Sequence, residues 1–291
     1  MLDLLQSLCD GVMFGATYAL IGIGFTLVFG VMHKINMAYA AASVGAAYLG
    51  LIVFALGKGV PALAVFGAAF VAGGVLGFLV YVLAFHFIPL AYPLATLMST
   101  VGMLLLIDEV IVHVTAGMPQ NYPSLYDKMF DAGGFTVRGD LLMIAAVSVV
   151  CMLALLALLF RTRLGLATRA VSQQPIAAQL CGIQVARVNA TTFIITGLLG
   201  GIAGALIGAS VGTLSPLLTT PLTVKGLIVT VIGGLGSIPG AIVAGFLVGG
   251  LENVVQYWRG VTERDMYVML LLFLFLVFRP GGLFGGAKGR D

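Results

Sequence analysis

Four ionisable residues stand inside apolar runs of this sequence: Asp108, Glu109, Lys225 and Glu252. Asn36 lies near the end of another run. A charge at the centre of a bilayer costs at least ~2.5–3.5 kcal/mol, so such groups face a bundle interior, pair, or mark a solute or ion path. Lys225 opens and Glu252 closes the stretch 223–252, which GGLGSIPG breaks at 233–240. Broken, charged segments of this kind place irregular backbone in the membrane, where only protein or a water-filled cavity can shelter it. Counting along the chain, Lys225 is 11 residues before Gly236, and Glu252 is 13 after Pro239. At ~1.5 Å per residue, both charges lie roughly 17–20 Å from the break, at one depth if the segment folds back. They then either pair or snorkel separately to the headgroups. Gly236, Ser237 and Pro239 at the break join Asn36, Asp108, Glu109, Lys225 and Glu252 as candidates for a solute path or gate.

Other chemistries find no support. There is no phosphate-binding GxxxxGK[ST] run, no HExxH and no GxSxG. Cys9, Cys151 and Cys181 are far apart and match no metal or redox spacing, and His33, His86 and His113 stand singly. Neither catalysis, nor a metal site, nor a cofactor held by this chain is expected. The basic residues form no face that would suit a nucleic acid.

The elements that must position these residues are membrane helices. Of the 291 residues 60% are hydrophobic and only 9% charged, and the mean hydropathy is +1.14; soluble domains carry roughly 25% charge. The fold class is all-α, a polytopic helical membrane protein, with a single transmembrane domain over 1–291 that sits in the lipid bilayer. About eight spans fit, each about 20 residues for a ~30 Å core: 11–31, 36–56, 61–85, 93–115, 141–160, 189–211, the broken segment, and 266–278. The broken segment is either a re-entrant hairpin or two packed spans. Forty glycines sit largely inside these runs, and Gly200, Gly204, Gly208 and Gly212 repeat every fourth residue, a signature of close helix packing in lipid.

Two long polar stretches interrupt the runs. Residues 116–140 mix both signs, whereas 161–188 carries Arg161, Arg163, Arg169 and Arg187 and no acid. The basic stretch sets the orientation: 161–188 and the C-terminus in the cytoplasm, 116–140 and the N-terminus on the outer side. Within 161–188 a short helix is expected to begin near Pro175 and stop at Gly182, with Ile176 and Leu180 one turn apart as an apolar patch. Such a patch either lies on the membrane or docks a partner.

From about 11 to 282 the sequence resembles the LivH-type permeases of bacterial branched-chain amino-acid ABC importers. The opening Gly15-Ala16-Thr17-Tyr18-Ala19-Leu20 leads to Gly30 and Ile35-Asn36. The basic loop carries Leu164-Gly165, Arg169-Ala170, Ala177-Ala178, Leu180, Gly182-Ile183 and Arg187. Lys225, Leu235-Gly236-Ser237-Ile238-Pro239-Gly240 and Glu252 complete the likeness. The resemblance implies an ATPase-coupling role for Arg169, Pro175, Ile176, Ala177, Ala178, Leu180 and Gly182. It also implies a second homologous permease as hetero- or homodimer partner, two cytoplasmic ATP-binding subunits that hold ATP and Mg, and a periplasmic solute-binding protein. The place would be a bacterial inner membrane. Departures stand out: Met37-Ala38-Tyr39-Ala40 replaces the family's F-A-H-G, Ile176 and Gln174 replace loop acids, and Asp108-Glu109 stands where relatives often carry Gln-Asn. Two acids suit a cation, a zwitterion or a neutral solute better than an anion. The alternative is an ion-coupled secondary transporter that works without ATPases, with Asp108, Glu109 or Glu252 as the ion site; a passive channel is a third reading.

Overall fold

A computed structural model describes residues 2–56, 61–88, 93–124, 126, 129–132 and 135–284. The tight Gly57-Lys58-Gly59 connection, Asp127, Lys128 and the basic tail beyond Phe284 lie outside the described residues. The chain is a helical bundle: α1 (Leu2–Met32), α2 (Ala38–Leu56), α3 (Ala62–Tyr81) continued by a π turn (Val82–His86), α4 (Pro93–Thr115), α5 (Gly139–Arg161), α6 (Arg163–Gln173), α7 (Pro175–Leu180), α8 (Val185–Val211), α9 (Thr219–Gly233), α10 (Ile238–Arg259) and α11 (Val261–Phe278). Among the described residues, seven helices are long and apolar enough to cross a membrane: α1, α3 with its π turn, α4, α5, α8, α9 with the 3-10 turn before it, and α10. The apolar part of α2 is shorter, Ala38–Phe54, and α11 opens on Glu263, Arg264 and Asp265.

The broken segment is two helices folded against each other, with the glycine turn between them. Counted from Val224 to Leu235, the first arm has 12 residues, about 18 Å of helix, which is too short to cross. The helix instead begins at Thr219, because Pro216 starts a 3-10 turn that runs straight into it, so the arm covers Pro216–Gly233. The polar run 257–265, which lies outside the spans read from the sequence, is helical on both sides of Gly260, whose φ of +89° suits glycine. The last helix therefore starts at Val261.

Glycine places the core. On α1, Gly11 and Gly15 lie against Gly245 and Gly249 of α10, and a Cβ at any of them would strike the facing backbone or the Asn253 side chain. On α3, Gly73 and Gly77 meet Gly197 and Gly201 of α8 in the same way. The stripe noticed in the sequence is used on the other side of α8: Gly200 and Gly204 receive α2 at Tyr39 and Ser43, and Gly208 receives the Tyr122 ring. Small residues on facing helices bring backbones close, which supplies dispersion contact where lipid offers no hydrophobic drive.

Two short antiparallel pairs decorate one end. β1 (Gln120–Asn121) pairs β4 (Thr213–Leu214), and β2 (Met129–Ala132) pairs β3 (Phe135–Arg138). Tyr48 donates from its hydroxyl to the Leu214 carbonyl (2.7 Å), and Gln6 reaches Thr136, so both connections are pinned to the bundle. The loop 161–188 lies at the opposite end.

Candidate functional site

The α9–α10 hairpin carries two distinct constellations. Toward its β-decorated end, Lys225 of α9 donates from Nζ to Glu252 Oε1 of α10 at 2.6 Å. The same Nζ lies 3.2 Å from the Tyr18 hydroxyl on α1 and 3.1 Å from Asp265 Oδ1 on α11. Arg264 Nε approaches Glu252 Oε1 at 3.2 Å, and its Nη1 donates to Gln256 at 3.2 Å. Lys225 and Glu252 are buried, with side chains 10% and 4% exposed, while Asp265 is 56% exposed. Two cations and two anions thus tie three helices together and balance in charge, and the Tyr18 hydroxyl joins α1 to them. Glu252 Oε2 is buried without a hydrogen-bond partner.

Pairing settles the choice between snorkelling and contact, and the reason is geometric. The turn reverses the chain so that Lys225 and Glu252, 27 positions apart, reach one depth. Arg264 and Asp265 were not picked out from the sequence. Their signal was two charges close behind a lone Gly260, which folds α11 back beside Glu252.

At the other end, the turn is built by local rules. Gly234 and Gly236 have φ of +101° and +87°. Ser237 caps α10, its Oγ accepting from the Gly240 N–H at 3.3 Å, and Pro239 occupies the first turn, where its missing N–H is harmless. Gly233 and Gly240 touch backbone to backbone. The C-terminal segment then crosses the turn: Leu283 N donates to the Ile232 carbonyl (2.8 Å) and Phe284 N to the Gly233 carbonyl (3.2 Å). These bonds satisfy carbonyls that the end of α9 leaves open.

Beside this turn, α1, α5 and α6 enclose a cavity of about 390 Å³ whose wall includes Gly236, Ser237, Pro239 and Arg169. The turn and the basic loop therefore meet. Thr162 caps α6 by accepting from Gly165 N–H, and Gly165 lies against the Leu159 carbonyl, so α6 folds straight back on α5. After the α6–α7 junction, Pro175 starts α7 and Gly182 (φ +83°) ends it, as expected. Ala178 is buried; Ile176 and Leu180 are 76% and 85% exposed, so the apolar patch points away from the bundle. Ala177 is exposed beside them.

The remaining candidates lie apart. Asn36 is buried and its Oδ1 accepts from Ala38 N–H at 3.2 Å, which holds the start of α2. Asp108 and Glu109 sit on α4, which packs chiefly on α2 and the π turn. Glu109 is exposed, while Asp108 is half-buried with its Oδ1 enclosed and without a hydrogen-bond partner. Tyr39, at the position of the family's histidine, slots between Gly24 and Gly200 with its ring edge-on to Phe25 at 5.1 Å.

The family model for the branched-chain amino acid transport system permease component matches residues 7–278. The chain belongs to this family. BraD of Pseudomonas aeruginosa, a high-affinity branched-chain amino acid transport system permease protein, is 30% identical over 97% of this chain and 95% of its own length. LivH of Escherichia coli is 29% identical with the same coverage, and a probable LivH of Methanocaldococcus jannaschii is 25% identical over 91% of this chain and 88% of its own. PsaBC from Streptococcus pneumoniae, solved with a Fab, matches with a TM-score of 0.52 at 11% identity, covering 98% of this chain and 95% of that one; at that identity the match shows fold alone. The permease is thus a multi-pass membrane subunit of a transport system, and membership in this family implies ATPase and substrate-binding partners.

Proposed function

We propose that this permease works in an ABC importer that carries a branched-chain amino acid, or a related small solute, inward. The match of nearly the whole chain to permeases named for that transport carries the reading. The assembly is this permease with a second homologous permease, two ATP-binding subunits that hold ATP and Mg, and a periplasmic solute-binding protein. The loop 161–188 faces the cytoplasm of a bacterial inner membrane, its arginines obeying the positive-inside bias. The N-terminus is then periplasmic and the C-terminus cytoplasmic.

In this mechanism α7 is the coupling element. Ile176 and Leu180 form the contact for the ATPase, and buried Ala178 seats α7 on the bundle. ATP favours one bundle state by binding it more strongly than the other. Movement of α6 is felt at the α9–α10 turn through the wall they share around Arg169 and Ser237. The ion network at the far end holds α1, α9, α10 and α11 as one body, so a push at the turn tilts the body rather than bending it.

Proteoliposomes holding the two permeases and ATPases, supplied with the binding protein, test this. Uptake of branched-chain amino acids is expected to need ATP and to survive collapse of the proton gradient. An Ile176→Ser/Leu180→Ser variant is expected to insert normally and lose the ATPase. ATPase retention at the wild-type level would remove α7 from the coupling role. One observation favours the second reading, an ion-coupled carrier: the enclosed, unpartnered Asp108 Oδ1. That carrier would transport without ATPases and stop when the proton gradient collapses.

A further inference from the structure

The cavity at the turn has a wall that the coupling role leaves unexplained. Apolar side chains such as Leu27, Leu159 and Pro239 make up most of it, with Arg169 and Ser172 to one side. Thr26 also lines it, wholly buried in α1, and its Oγ1 has no hydrogen-bond partner. Other buried threonines in these helices bond a carbonyl of the preceding turn, as Thr17 does to Phe14 and Thr192 to Val188. Arg169 makes only an intrahelical bond from Nε to Gly165 (3.4 Å) and stacks over Phe160 at 5.4 Å. It takes part in none of the ion pairs among the described residues.

We infer that this cavity is a binding site for an anionic phospholipid of the adjoining leaflet. The phosphate sits on the Arg169 guanidinium, and an acyl chain follows the apolar wall past Leu27, Leu159 and Pro239. The apolar share of the wall separates this site from one for free phosphate, which would be surrounded by polar groups. A loop with four arginines and no acid draws anionic headgroups to the entrance. The lipid would bridge α6 and the hairpin turn, the two parts that the proposed coupling moves against each other. The inference rests on the proposed orientation only for naming the leaflet as cytoplasmic.

Native mass spectrometry of the full-length permease in detergent tests it without ATPases or transport, so its failure is separate from that of the importer reading. Phosphatidylglycerol, phosphatidylcholine and inorganic phosphate are the three probes. One phosphatidylglycerol should be retained in preference to phosphatidylcholine, and phosphate should not displace it. Losing a charge-assisted contact predicts about tenfold weaker retention in Arg169→Gln. Arg163→Gln, in the same loop but outside the cavity wall, should retain lipid as before. Ser172→Phe, which puts a ring into the cavity beside Arg169 and keeps the arginine, should expel the lipid, and it decides the matter if Arg169→Gln does not fold. Equal losses in the two arginine variants, displacement by phosphate, or retention in Ser172→Phe would each overturn the site.

Discussion

The two ends of the α9–α10 hairpin solve the same problem by opposite means. Both must keep polar groups out of lipid. The Lys225–Glu252 end does it with charge: side chains from three helices neutralise one another, and their mutual attraction in a low dielectric replaces hydration. The Gly233–Gly240 end does it with backbone: a serine cap, a proline in the first turn and two carbonyls met by the C-terminal segment. The first end depends on partners far apart in sequence and is closed. The second is local, and it leaves a cavity at which the basic loop meets the turn. A lever that is fixed at one end and contacted at the other has this division of labour.

The largest expected effect breaks the closed end. Glu252→Ala leaves Lys225 and Arg264 without their shared acceptor, and removing one member of a buried pair costs about 3–5 kcal/mol. Its thermal midpoint in detergent should fall well below that of the Lys225→Met/Glu252→Met double variant, in which both charges leave together. A double variant no better than the single would show that the charges do not hold the helices.

The turn should tolerate less insult to packing than to conformation. In Gly240→Ala the added methyl meets the Gly233 carbonyl, an overpacking expected to cost about 1–3 kcal/mol. Gly236→Ala has room, its nearest neighbour being Gly30 Cα at 3.6 Å, so only the left-handed backbone penalises it, by about 1–2 kcal/mol. If the two variants melted alike, the turn would be less closely packed than its geometry indicates. The smallest effect is Arg264→Gln at the partly exposed rim of the network, about 0.2–1 kcal/mol and weakened by salt, read as a shift in midpoint between low and high ionic strength.

Much of this was legible in the sequence because membrane helices obey coarse rules. Long apolar runs gave most spans to within a few residues, although α1 begins at Leu2 rather than at the expected Gly11 and α6 was not foreseen; the arginines of 161–188 set that loop apart. Pro175 and Gly182 bracketed α7 because both residues constrain backbone locally. Similar counts from the break, 11 residues to Lys225 and 13 to Glu252, put the two charges at one depth. The fourfold glycine repeat of α8 was visible as well, but not that its other face, Gly197 and Gly201, receives Gly73 and Gly77 of α3.

By itself, then, the sequence determined whatever depends on neighbours along the chain: helix length, caps, stops, the turn and the depth of each charge. Only the tertiary structure decided which helix faces which. It brought Arg264 and Asp265 to Glu252, laid the C-terminal segment over Ile232 and Gly233, set Asp108 apart from the hairpin, and turned Ile176 and Leu180 outward while burying Ala178. The reason is physical. A helix's rise along its axis is fixed at every residue by its own hydrogen bonds, but its rotation about that axis is chosen by the helices packed around it, and those lie far away in sequence.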